Sequence, residues 1–379
     1  MKDERNLNEK ESEALRTITE ICFDKKVAVS FSCGKDSLVV MDLASRVGIK
    51  KAVFSDTTLE FDETYEYLEL IKDFYDIDVV KPPKDFFSLV DALDLPSRRY
   101  KWCCDVIKFG PLSRYAEKND IAAYITGLRR EESKKRECYD IINFNPAMTI
   151  PQVNPILDWS SEDIWNYINK YEIPYNPLYE DFSRVGCWCC PYCSKGDWEV
   201  IKNKFPDKYQ KLQNIIRKKA HNIKPDYRQQ FINNGWTSWV YPLKKLTVGK
   251  FEFDENSNVF RVKMNYETET EKVKDLIKVL GNKYSINGNY IEISLNNEKI
   301  KEEKKKIQVV VEKAVNCVQC GSCLHLCERN ALYVDENIKV NDALCDNCDS
   351  CLLPNGNAKL RMMCIARNYS RNGKTLILS

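Results

Sequence analysis

Short apolar runs alternate with longer amphipathic stretches in the first half of the chain. Residues 13–24 predict a helix, and the apolar run 27–31 that follows is typical of a buried strand. A second helix is expected to begin around 38–43 and to end near Gly48. Further strands are predicted at 51–55, 77–80 and 122–126, with a helix at about 62–75 between the first two of these.

This alternation predicts the fold class. Strands that alternate with helices imply right-handed crossovers and a doubly wound, mostly parallel sheet, so the class is α/β. In such sheets ligands bind at the carboxyl ends of the strands. Chemically suggestive residues follow three of the predicted strands, at 32–37, 56–64 and 127–136. That agreement supports the fold prediction.

The pattern changes around residue 230. From Gly235 to about Ser294, short alternating strands and one helix at 271–280 predict a small α+β module. Residues 297–306 are charged and predict a solvated spacer helix, and residues 315–370 are dense in cysteine. We therefore predict three domains: a nucleotide-binding domain at 1–228, the α+β module with its charged linker at 229–306, and a cysteine-rich domain at 307–379.

Composition narrows the classes of function. The 379 residues carry a net charge of +2, so the overall charge favours no class of partner. No apolar run is long enough for a membrane span, and the charged N-terminus lacks the apolar core of a secretory signal. The seventeen cysteines are then expected in a reducing cytosol, where clustered thiols indicate metal binding or catalysis. A secreted disulfide scaffold is disfavoured.

The loop after the first predicted strand has the composition of a phosphate-binding loop. It reads Ser32-Cys33-Gly34-Lys35-Asp36-Ser37 and leads into a predicted helix. Unpaired backbone N–H groups and the positive helix end favour an anion there. Lys35 can reach phosphoryl oxygens, and Ser37 can donate a hydrogen bond. The spacing is not that of a Walker loop, and an ordinary charged strand-to-helix turn is the weaker alternative.

Residues 30–37 resemble the pyrophosphate loop of the adenine nucleotide alpha-hydrolase superfamily, written Ser-Gly-Gly-Lys-Asp-Ser, with Cys33 replacing the first glycine. Residues 56–64, 125–136, 154–165 and 174–178 resemble phosphoadenylyl-sulfate (PAPS) and adenylyl-sulfate (APS) reductases in family order. The resemblance covers roughly residues 25–195 and implies an adenine nucleotide substrate: PAPS, APS or ATP. The nucleotide contacts that it implies are Ser30, Ser32, Cys33, Gly34, Lys35, Asp36, Ser37, Asp56, Thr57, Glu63 and Gly127.

Cations near these segments are candidates for binding the reacting anion. The arginines of the 127–136 loop carry planar guanidinium forks suited to sulfate or phosphate oxygens. A solvated run of charges is the alternative, above all for the lysines at 134 and 135. Lys108, which follows a cysteine pair, is a further candidate anion contact. The candidate catalytic residues are Lys35, Lys108, Arg129, Arg130 and Arg136.

A first group of cysteines suits an iron–sulfur cluster. Cys103 and Cys104 are adjacent, and four more cysteines follow at 187–193. Four thiolates are what a [4Fe–4S] cluster requires. The assimilatory APS reductases, which this segment resembles, use a Cys-Cys pair plus Gly-Cys-x2-Cys, which implies the ligands Cys103, Cys104, Cys187 and Cys190. Cys193 competes with Cys190 for the last position, and zinc held by four thiolates is the alternative cofactor.

The C-terminal cysteines have the spacing of bacterial ferredoxins. Residues 317–327 read Cys-x2-Cys-x2-Cys-x3-Cys, and residues 345–351 repeat the first three cysteines. Because the fourth cysteine of each run ligates the other cluster in two-cluster ferredoxins, Cys364 and Cys327 are expected to exchange partners. Glu328, where proline is usual, and the long interval before Cys364 depart from the pattern. The predicted ligand sets are Cys317, Cys320, Cys323 and Cys364, and Cys345, Cys348, Cys351 and Cys327.

These assignments predict three [4Fe–4S] clusters in total. Zinc is again the alternative cofactor for the two sites formed by the C-terminal cysteines. The other cysteines, at 22, 33, 138, 189 and 193, are interpreted mostly as incidental. Cys33 is the exception, since a helix N-terminus beside it would lower its pKa.

Thiol-dependent reductases of the family carry a C-terminal Glu-Cys-Gly-x-His tail whose cysteine attacks sulfur. Neither His221 nor His325 follows a Cys-Gly pair, so that nucleophile is missing from this sequence. The first hypothesis is therefore a reductase that converts adenylated sulfate to sulfite with electrons relayed by the ferredoxin-like domain. The second is an ATP-dependent sulfurtransferase that thiolates tRNA or DNA, since residues 201–228 hold nine Lys or Arg and two Asp. A redox sensor without turnover is a weaker third.

The expected partners follow from these hypotheses. They are a small-molecule nucleotide and a low-potential electron donor, in the cytosol of an anaerobe and without a membrane. The second hypothesis adds tRNA or DNA on residues 201–228. The subunit count stays open, a homo-oligomer included.

Overall fold

The computed structural model describes residues 2–99, 101–145, 147–148, 150–239, 249–295, 300–321, 323–348 and 351. The chain divides into two compact units, Met1–Val90 with Asp94–Trp239, and Asp91–Leu93 with Val240–Ser379. The division into three domains stays a prediction. Within the described ranges, no helix has both the length and the apolar content that a membrane crossing requires.

The first unit alternates strands and helices as the sequence predicts. Its strands are β1 (Val27–Phe31), β2 (Lys51–Ser55), β3 (Asp76–Val80), β4 (Ala123–Ile125), β5 (Ile142–Asn143) and β6 (Gln152–Val153). The helices up to residue 239 are α1 (Lys2–Cys22), α2 (Lys35–Arg46), α3 (Asp62–Lys72), α4 (Phe86–Leu93), α5 (Gly110–Lys118), α6 (Ser161–Lys170), α7 (Lys195–Lys204), α8 (Pro206–Ala220) and α9 (Pro225–Ile232).

The six strands form one sheet, in the order β3-β2-β1-β4-β6-β5. Neighbouring strands are parallel except β5, which runs antiparallel to β6. From β1 the chain moves outward to β2 and β3, then crosses to β4 on the other side of β1. The carboxyl ends of β1 and β4 therefore form the topological switch point, where open α/β sheets bind ligands. The predicted α/β fold class is confirmed.

Both faces of this sheet are covered by helices. Val27, Val29 and Phe31 of β1 pack in the cluster that includes buried residues of α1, α2 and α6. Ala28, which points the opposite way, packs in a second cluster with buried residues of α5. Because successive side chains of a strand point to opposite faces, an apolar run with no polar alternation requires burial on both sides. The apolar side chains of β1 are accordingly buried on both faces of the sheet.

Local signals set several helix starts. Ser160 and Asp163 form a capping box at the start of α6, and Ser194 and Asp197 form another at α7. Proline stands at the first position of α8 and of α9, where its missing N–H costs nothing. The cap of α7 directly follows the cysteines of 187–193, so it fixes where that segment ends.

The first helix is longer than the predicted 13–24. Its buried positions include Leu7, Glu11, Ala14 and Ile18, spaced three or four residues apart along one face. Glu11 forms ion pairs with Arg46 and Lys170, which accounts for a buried carboxylate on that face. The apolar pattern concealed this part of the helix because a charged residue occupies a core-facing position.

The second unit holds a separate antiparallel sheet. Its strands are β7 (Gly249–Asp254), β8 (Val259–Met264), β9 (Tyr284–Asn287) and β10 (Tyr290–Ser294), in the order β7-β8-β10-β9. The helix α10 (Glu267–Ile277) lies between β8 and β9, where the sequence predicts a helix at 271–280. The described part of the unit continues with α11 (Ile300–Val315) and a hairpin of β11 (Leu332–Val334) and β12 (Ile338–Val340).

The described residues of the predicted spacer helix, 300–306, are helical and none of them is buried, but the helix does not end at 306 as predicted. The helix α11 runs to Val315, and its second half is buried: Ile307, Val310, Val311 and Ala314 are fully enclosed. They pack in the same apolar cluster as α10, β8 and the β11–β12 hairpin. The charged first turns gave the prediction, whereas the apolar residues after 306 decide where the helix packs.

Candidate active site

The phosphate loop connects β1 to α2 at the switch point. The Ser37 hydroxyl accepts a hydrogen bond from the Ser32 backbone N–H at 3.1 Å and donates to the Gly34 carbonyl at 2.9 Å, so it closes the loop on itself. Ser32 Oγ lies 3.1 Å from the same hydroxyl. Cys33 has φ +56°, a left-handed conformation that favours glycine. The glycine of the related loops is therefore explained by backbone geometry.

Three charged side chains meet at this loop. Lys35 and Arg129 are both buried, with 5% and 4% of their surface exposed. Lys35 Nζ lies 3.2 Å from Asp36 Oδ1, and Arg129 Nε lies 2.6 Å from the same oxygen. Burial lowers the pKa of Lys35, while the Asp36 carboxylate acts in the opposite direction. The loop after β4 thus brings Arg129 to the phosphate loop, as the sequence predicts.

Gly127 allows this approach. A Cβ atom at position 127 would lie 2.6 Å from the carbonyl carbon of Asp36 and 2.7 Å from the backbone nitrogen of Ser37. Real Cβ atoms do not come so close to backbone atoms, and the backbone cannot yield as a flexible side chain could. The loops after β1 and β4 are therefore in direct backbone contact, which requires glycine at this position.

Two residues that the sequence analysis did not assign to the site support the phosphate loop. The Tyr179 hydroxyl accepts the Lys35 backbone N–H at 2.8 Å. Asn176 Nδ2 lies 3.4 Å from the Cys33 carbonyl and 3.3 Å from Thr64 Oγ1. Asn176 belongs to the 174–178 segment that carries the resemblance, and Tyr179 directly follows it. Their place in or beside this segment could have indicated a role in the site. A contact between residues more than 140 positions apart, however, leaves no local pattern in the sequence.

The loop after β2 carries a buried carboxylate network. Asp56 accepts hydrogen bonds from Thr58 N–H and the Tyr65 hydroxyl, each at 2.8 Å, and pairs with Lys81 at 3.0 Å. Thr57 Oγ1 lies 2.6 Å from Glu60 Oε1. Burial raises the pKa of Glu60, and the Thr57 hydrogen bond opposes that shift. Glu60 is a site residue that the sequence analysis missed.

Glu63 stands out among the predicted nucleotide contacts. One of its carboxylate oxygens is buried, with no hydrogen-bond partner in the described part of the chain. A buried acceptor without a donor is costly. Hydroxyl or amino groups of a ribose or an adenine could satisfy it, so this oxygen fits the predicted role.

The predicted arginines separate into two places. Arg130 pairs with Asp158 and donates to the Tyr139 carbonyl, away from the phosphate loop. Arg136 pairs with Glu132, while its electrostatic neighbours include Asp36, Arg129 and Arg184. The structure therefore brings Arg129 and Arg136 to the loop. Their roles in catalysis stay predictions.

The two segments of the first cysteine group adjoin. Trp188 N–H donates to the Leu59 carbonyl at 3.0 Å, and Arg98 Nε donates to the Pro191 carbonyl at 2.8 Å. Arg98 also lies over the Tyr192 ring. The 187–193 segment is therefore fixed between the loop after β2 and the segment that leads to Cys103. Cys104 begins a π-helical turn at Cys104–Phe109, a rare geometry that is frequent at functional sites.

The thiols of this group interact with one another. Cys103 is hydrogen-bonded to Cys104, and its other electrostatic neighbours are Cys187 and Cys190. This hydrogen bond lowers the pKa of Cys104 to about 7, and Lys108 acts in the same direction. Thr57 Oγ1 lies 3.4 Å from Cys187 Sγ. The predicted anion contact Lys108 thus lies near these thiols and near Glu60, where its charge opposes the rise in pKa that burial causes.

The described C-terminal cysteines show a local repeat. Gln319 and Asn347, the third residues of the two Cys-x2-Cys segments, have φ +57° and +56°. Cys317 Sγ accepts Gln319 N–H at 3.4 Å, and Cys327 Sγ accepts Ala331 N–H at 3.2 Å. The electrostatic neighbours of Cys351 include Cys323, Cys327 and Cys345. Cys364 lies outside the described residues.

Within those residues, no three or more His, Cys, Asp or Glu side chains are arranged to hold one metal ion. A [4Fe–4S] cluster sets a different requirement, because each thiolate binds a different iron atom and the sulfurs stay farther apart. The facing thiols of Cys103, Cys104, Cys187 and Cys190 fit that requirement by donor type. Zinc would need the four sulfurs around one point.

Residues 26–193 match the family model of the phosphoadenosine phosphosulfate reductase domain. The adenosine 5′-phosphosulfate reductase of Shouchella clausii is 31% identical over 180 residues, which cover 46% of this chain and 73% of that protein. This chain belongs to the phosphoadenosine phosphosulfate reductase family. The match ends before α8, so it concerns the first unit.

A further relative and one solved structure are also similar to the chain. An uncharacterized protein of Methanocaldococcus jannaschii is 35% identical over 228 residues, which cover 57% of this chain and 46% of that protein. The chain therefore spans about half the length of that relative. A phosphoadenylyl-sulfate (PAPS) reductase from Candida auris, in a phosphate complex, aligns at 19% identity and a TM-score of 0.39, over 46% of this chain and 88% of that one.

The prediction that the helix N-terminus lowers the pKa of the Cys33 thiol is wrong. Burial raises the pKa of Cys33 well above its ordinary value, and the Glu60 carboxylate adds to the shift. Cys33 is 1% exposed and packs in the core cluster, so the helix end does not dominate.

Cys33 is therefore expected to resist alkylation in the native protein. A raised pKa leaves less thiolate at any given pH, and thiolate is the reactive form. Iodoacetamide at pH 8, followed by peptide mass spectrometry, should modify the exposed Cys138 and leave Cys33 unmodified until denaturant is added. Equal modification of the two in native protein would contradict the burial of Cys33.

Proposed function

We propose that the protein is an iron–sulfur oxidoreductase that reduces an adenylated sulfate, APS or PAPS, to sulfite. Electrons would be relayed by the cysteine-rich segment at 317–364. The single observation that carries the proposal is the 3.4 Å contact between Thr57 Oγ1 and Cys187 Sγ. Thr57 belongs to the loop after β2, at the same sheet edge as the phosphate loop. A nucleotide in this loop and a cluster on these cysteines would therefore be neighbours.

The residues of the site would bind and orient the nucleotide. Backbone N–H groups at the start of α2 and the Lys35 ammonium would hold the 5′-phosphate and its sulfate. Arg129 fixes Asp36 and balances its charge. Asp56 and Thr57 are already engaged by protein partners, whereas Glu63 has an oxygen free for the adenosine.

The reaction balances without a cysteine nucleophile. The bond between sulfur and the bridging oxygen breaks, and its electron pair stays on the 5′-phosphate oxygen of the nucleotide, which leaves as AMP from APS or as adenosine 3′,5′-bisphosphate from PAPS. Two further electrons convert sulfur(VI) to sulfur(IV), which leaves as sulfite. Lys35 and the neighbouring arginines would offset the negative charge that develops on both products.

The cysteines would hold the electron carriers. Cys103, Cys104, Cys187 and Cys190 would ligate one [4Fe–4S] cluster, and the 317–364 segment two more, with Cys327 exchanged between runs as predicted. Bound clusters supply single electrons at low potential. A low-potential donor protein or reagent must supply the pair. Backbone N–H groups that donate hydrogen bonds to the cysteine sulfurs, such as those of Gln319 and Ala331, would tune such sites.

A second function is favoured by the surface of α7–α9. Lys202, Lys204, Lys211, Arg217 and Lys224 of this segment are exposed. Residues 201–228 contain nine Lys or Arg and two Asp, a net charge of +7, which suits binding to the phosphate backbone of a nucleic acid. An ATP-dependent sulfurtransferase acting on tRNA or DNA would use this surface and the intact Lys35-Asp36-Ser37 loop.

One assay separates the two functions. With protein reconstituted under argon and reduced methyl viologen, APS should give sulfite and AMP in equal amounts, or PAPS should give sulfite and adenosine 3′,5′-bisphosphate in equal amounts. The Lys35→Ala variant should lower this rate at least about a hundredfold, as expected when a charge-assisted contact to the reacting group is lost. No sulfite from either nucleotide, together with RNA-dependent release of pyrophosphate from ATP, would replace the reductase by the sulfurtransferase.

A further inference from the structure

An open cavity of about 560 Å³ lies between α8 and α9. It is lined by residues of both helices and of the turn that follows α9. Its volume is in the range of small-molecule sites, roughly 300–1,000 Å³. None of the lining residues belongs to the phosphate loop, to the loop after β2 or to the first cysteine group. The sites described above therefore leave this α8–α9 cavity without a role.

One wall of the α8–α9 cavity is a single face of α8. Tyr209, Gln213 and Arg217 line it, and their spacing of four residues places them on the same side of the helix. Tyr209 is half-buried, Gln213 is 9% exposed and Arg217 is exposed. The side-chain amide of Gln213 has no hydrogen-bond partner among the described residues. Water or a ligand in the cavity must therefore supply its hydrogen bonds.

The opposite wall carries two further amides on a fixed backbone. Gln229 Nε2 donates to Asn233 Oδ1 at 3.0 Å, which leaves the Gln229 carbonyl and the Asn233 amino group for a ligand. Asn234 follows in a left-handed conformation, with φ +66°. Its N–H donates to the Ile232 carbonyl at 2.8 Å, and the Thr237 hydroxyl donates to its carbonyl at 2.8 Å. These bonds hold the turn, so the wall is formed before a ligand binds.

The charge of the α8–α9 cavity favours an anionic ligand. No carboxylate lines it, and Arg217 is the charged residue among the lining side chains. The surrounding segment 201–228 has a net charge of +7. An aromatic ring, several neutral amides and one guanidinium match the three parts of a nucleotide in a strand. Aromatic rings stack on bases, amides bond to base edges, and arginine binds phosphate.

The helix α8 also borders the candidate active site. Lys208 pairs with Asp62 at 3.1 Å, and the ring centroids of Phe205 and Phe61 are 4.6 Å apart. Phe61 and Asp62 stand where the loop after β2 enters α3. A strand that binds on the cavity side of α8 would therefore lie on a helix that contacts the proposed nucleotide site.

We propose that the α8–α9 cavity binds one unpaired nucleotide of a single-stranded nucleic acid. Tyr209 stacks on the base, Gln213 and Gln229 bond to its edge, and Arg217 binds the adjoining phosphate. The proposal rests on the nucleic-acid partner of the second function above and adds a base-binding site to it. It is independent of sulfate reduction.

Fluorescence anisotropy tests this site with the full chain reconstituted under argon. The probes are labelled strands of about 12 nucleotides: an RNA, the DNA of the same sequence, and an abasic strand of the same length. The abasic strand should bind at least about fivefold more weakly than the better of the other two, because it has no base to stack. Preference for either sugar is compatible with a base-binding site.

Three variants separate base contacts from phosphate contacts. Gln213→Ala and Gln229→Ala should each weaken binding of the base-bearing strand by about threefold to tenfold, as expected for one hydrogen bond. Binding of the abasic strand should change less than about twofold on the same grounds. Arg217→Ala should weaken both strands alike and reduce the slope of log affinity against log salt by about 1. Gln229 is exposed, so its variant tests the site even if the buried Gln213 is needed for folding.

The control is Gln210→Ala, which makes the same change at an exposed position of α8 outside the cavity and should leave all affinities unchanged. No loss in either glutamine variant, or equal losses on both strands, would overturn the site. So would absence of strand binding by the unmodified protein. If that protein binds the strand through Gln213 but releases no pyrophosphate from ATP in its presence, the site stands and the sulfurtransferase fails. The thermal midpoint of each variant confirms that it is folded.

Discussion

Replacing Gly127 with alanine is expected to abolish adenine nucleotide binding and to lower the free energy of unfolding by about 3 kcal/mol. The added Cβ would lie 2.6 Å from the Asp36 carbonyl carbon and 2.7 Å from the Ser37 nitrogen. Both are backbone atoms of the phosphate loop, so relief requires moving the loop or the strand end. Either movement separates Arg129 from Asp36, which now lie 2.6 Å apart.

Urea unfolding and calorimetry with ATP measure the two effects. Gly196→Ala is the matched control, because its Cβ would meet Ser194 Oγ at an ordinary 3.7 Å within α7. Alanine is the better helix former, so this variant should be as stable as the unmodified protein or more stable by up to about 1 kcal/mol. A Gly127→Ala protein that unfolds and binds ATP like the control would contradict the backbone contact.

Much of the first unit could be predicted because its signals are local. The apolar run of β1 and the loop that follows it are contiguous in sequence, and the parallel sheet brings the ends of its strands to one edge. Gly127 was selected from a resemblance. Its physical reason, the approach of Asp36, appears only when β1 and β4 pair.

The contacts that sequence reasoning missed have no periodic pattern in the sequence. Tyr179 reaches the site through a tertiary contact with Lys35, 144 residues away, whereas Glu60 contacts Thr57, three residues earlier in the loop after β2. Sequence patterns report what a residue is, whereas the function of a charge depends on what else surrounds it.

Burial explains two departures from the predictions. The helix predicted at 297–306 from its charged turns continues to Val315, and the pKa of Cys33, which was predicted from the neighbouring helix end, is raised. In each case burial decided the outcome: the second half of α11 is enclosed, and the Cys33 thiol is 1% exposed. Desolvation of a thiol outweighs a helix dipole, which acts only over about one turn. Local electrostatic rules therefore hold only where the side chain remains in water.

Three [4Fe–4S] clusters would give about twelve irons per chain. The Cys190→Ser variant is expected to lose about four of these irons, and the Cys193→Ser variant is expected to lose none. We expect Cys190 to be the fourth ligand, a choice between Cys190 and Cys193 that the sequence leaves open. The electrostatic neighbours of Cys103 include Cys104, Cys187 and Cys190, whereas Cys193 interacts with Cys189 and Cys190. Loss of one thiolate exposes a cubane corner to solvent, so the whole cluster is lost.

Iron and acid-labile sulfide counts on protein reconstituted under argon measure this effect, with zinc analysis beside them. Cys193→Ser is the matched control, because it makes the same chemical change three residues away. Iron lost from Cys193→Ser but retained by Cys190→Ser would identify Cys193, and not Cys190, as the fourth ligand. Zinc without acid-labile sulfide in the unmodified protein would contradict the assignment of iron–sulfur clusters. The proposed internal source of electrons for sulfite formation would then be rejected as well. About eight irons in Cys190→Ser, with activity lost, would tie the first cluster to the reduction itself, because the remaining irons would be those expected on the C-terminal cysteines.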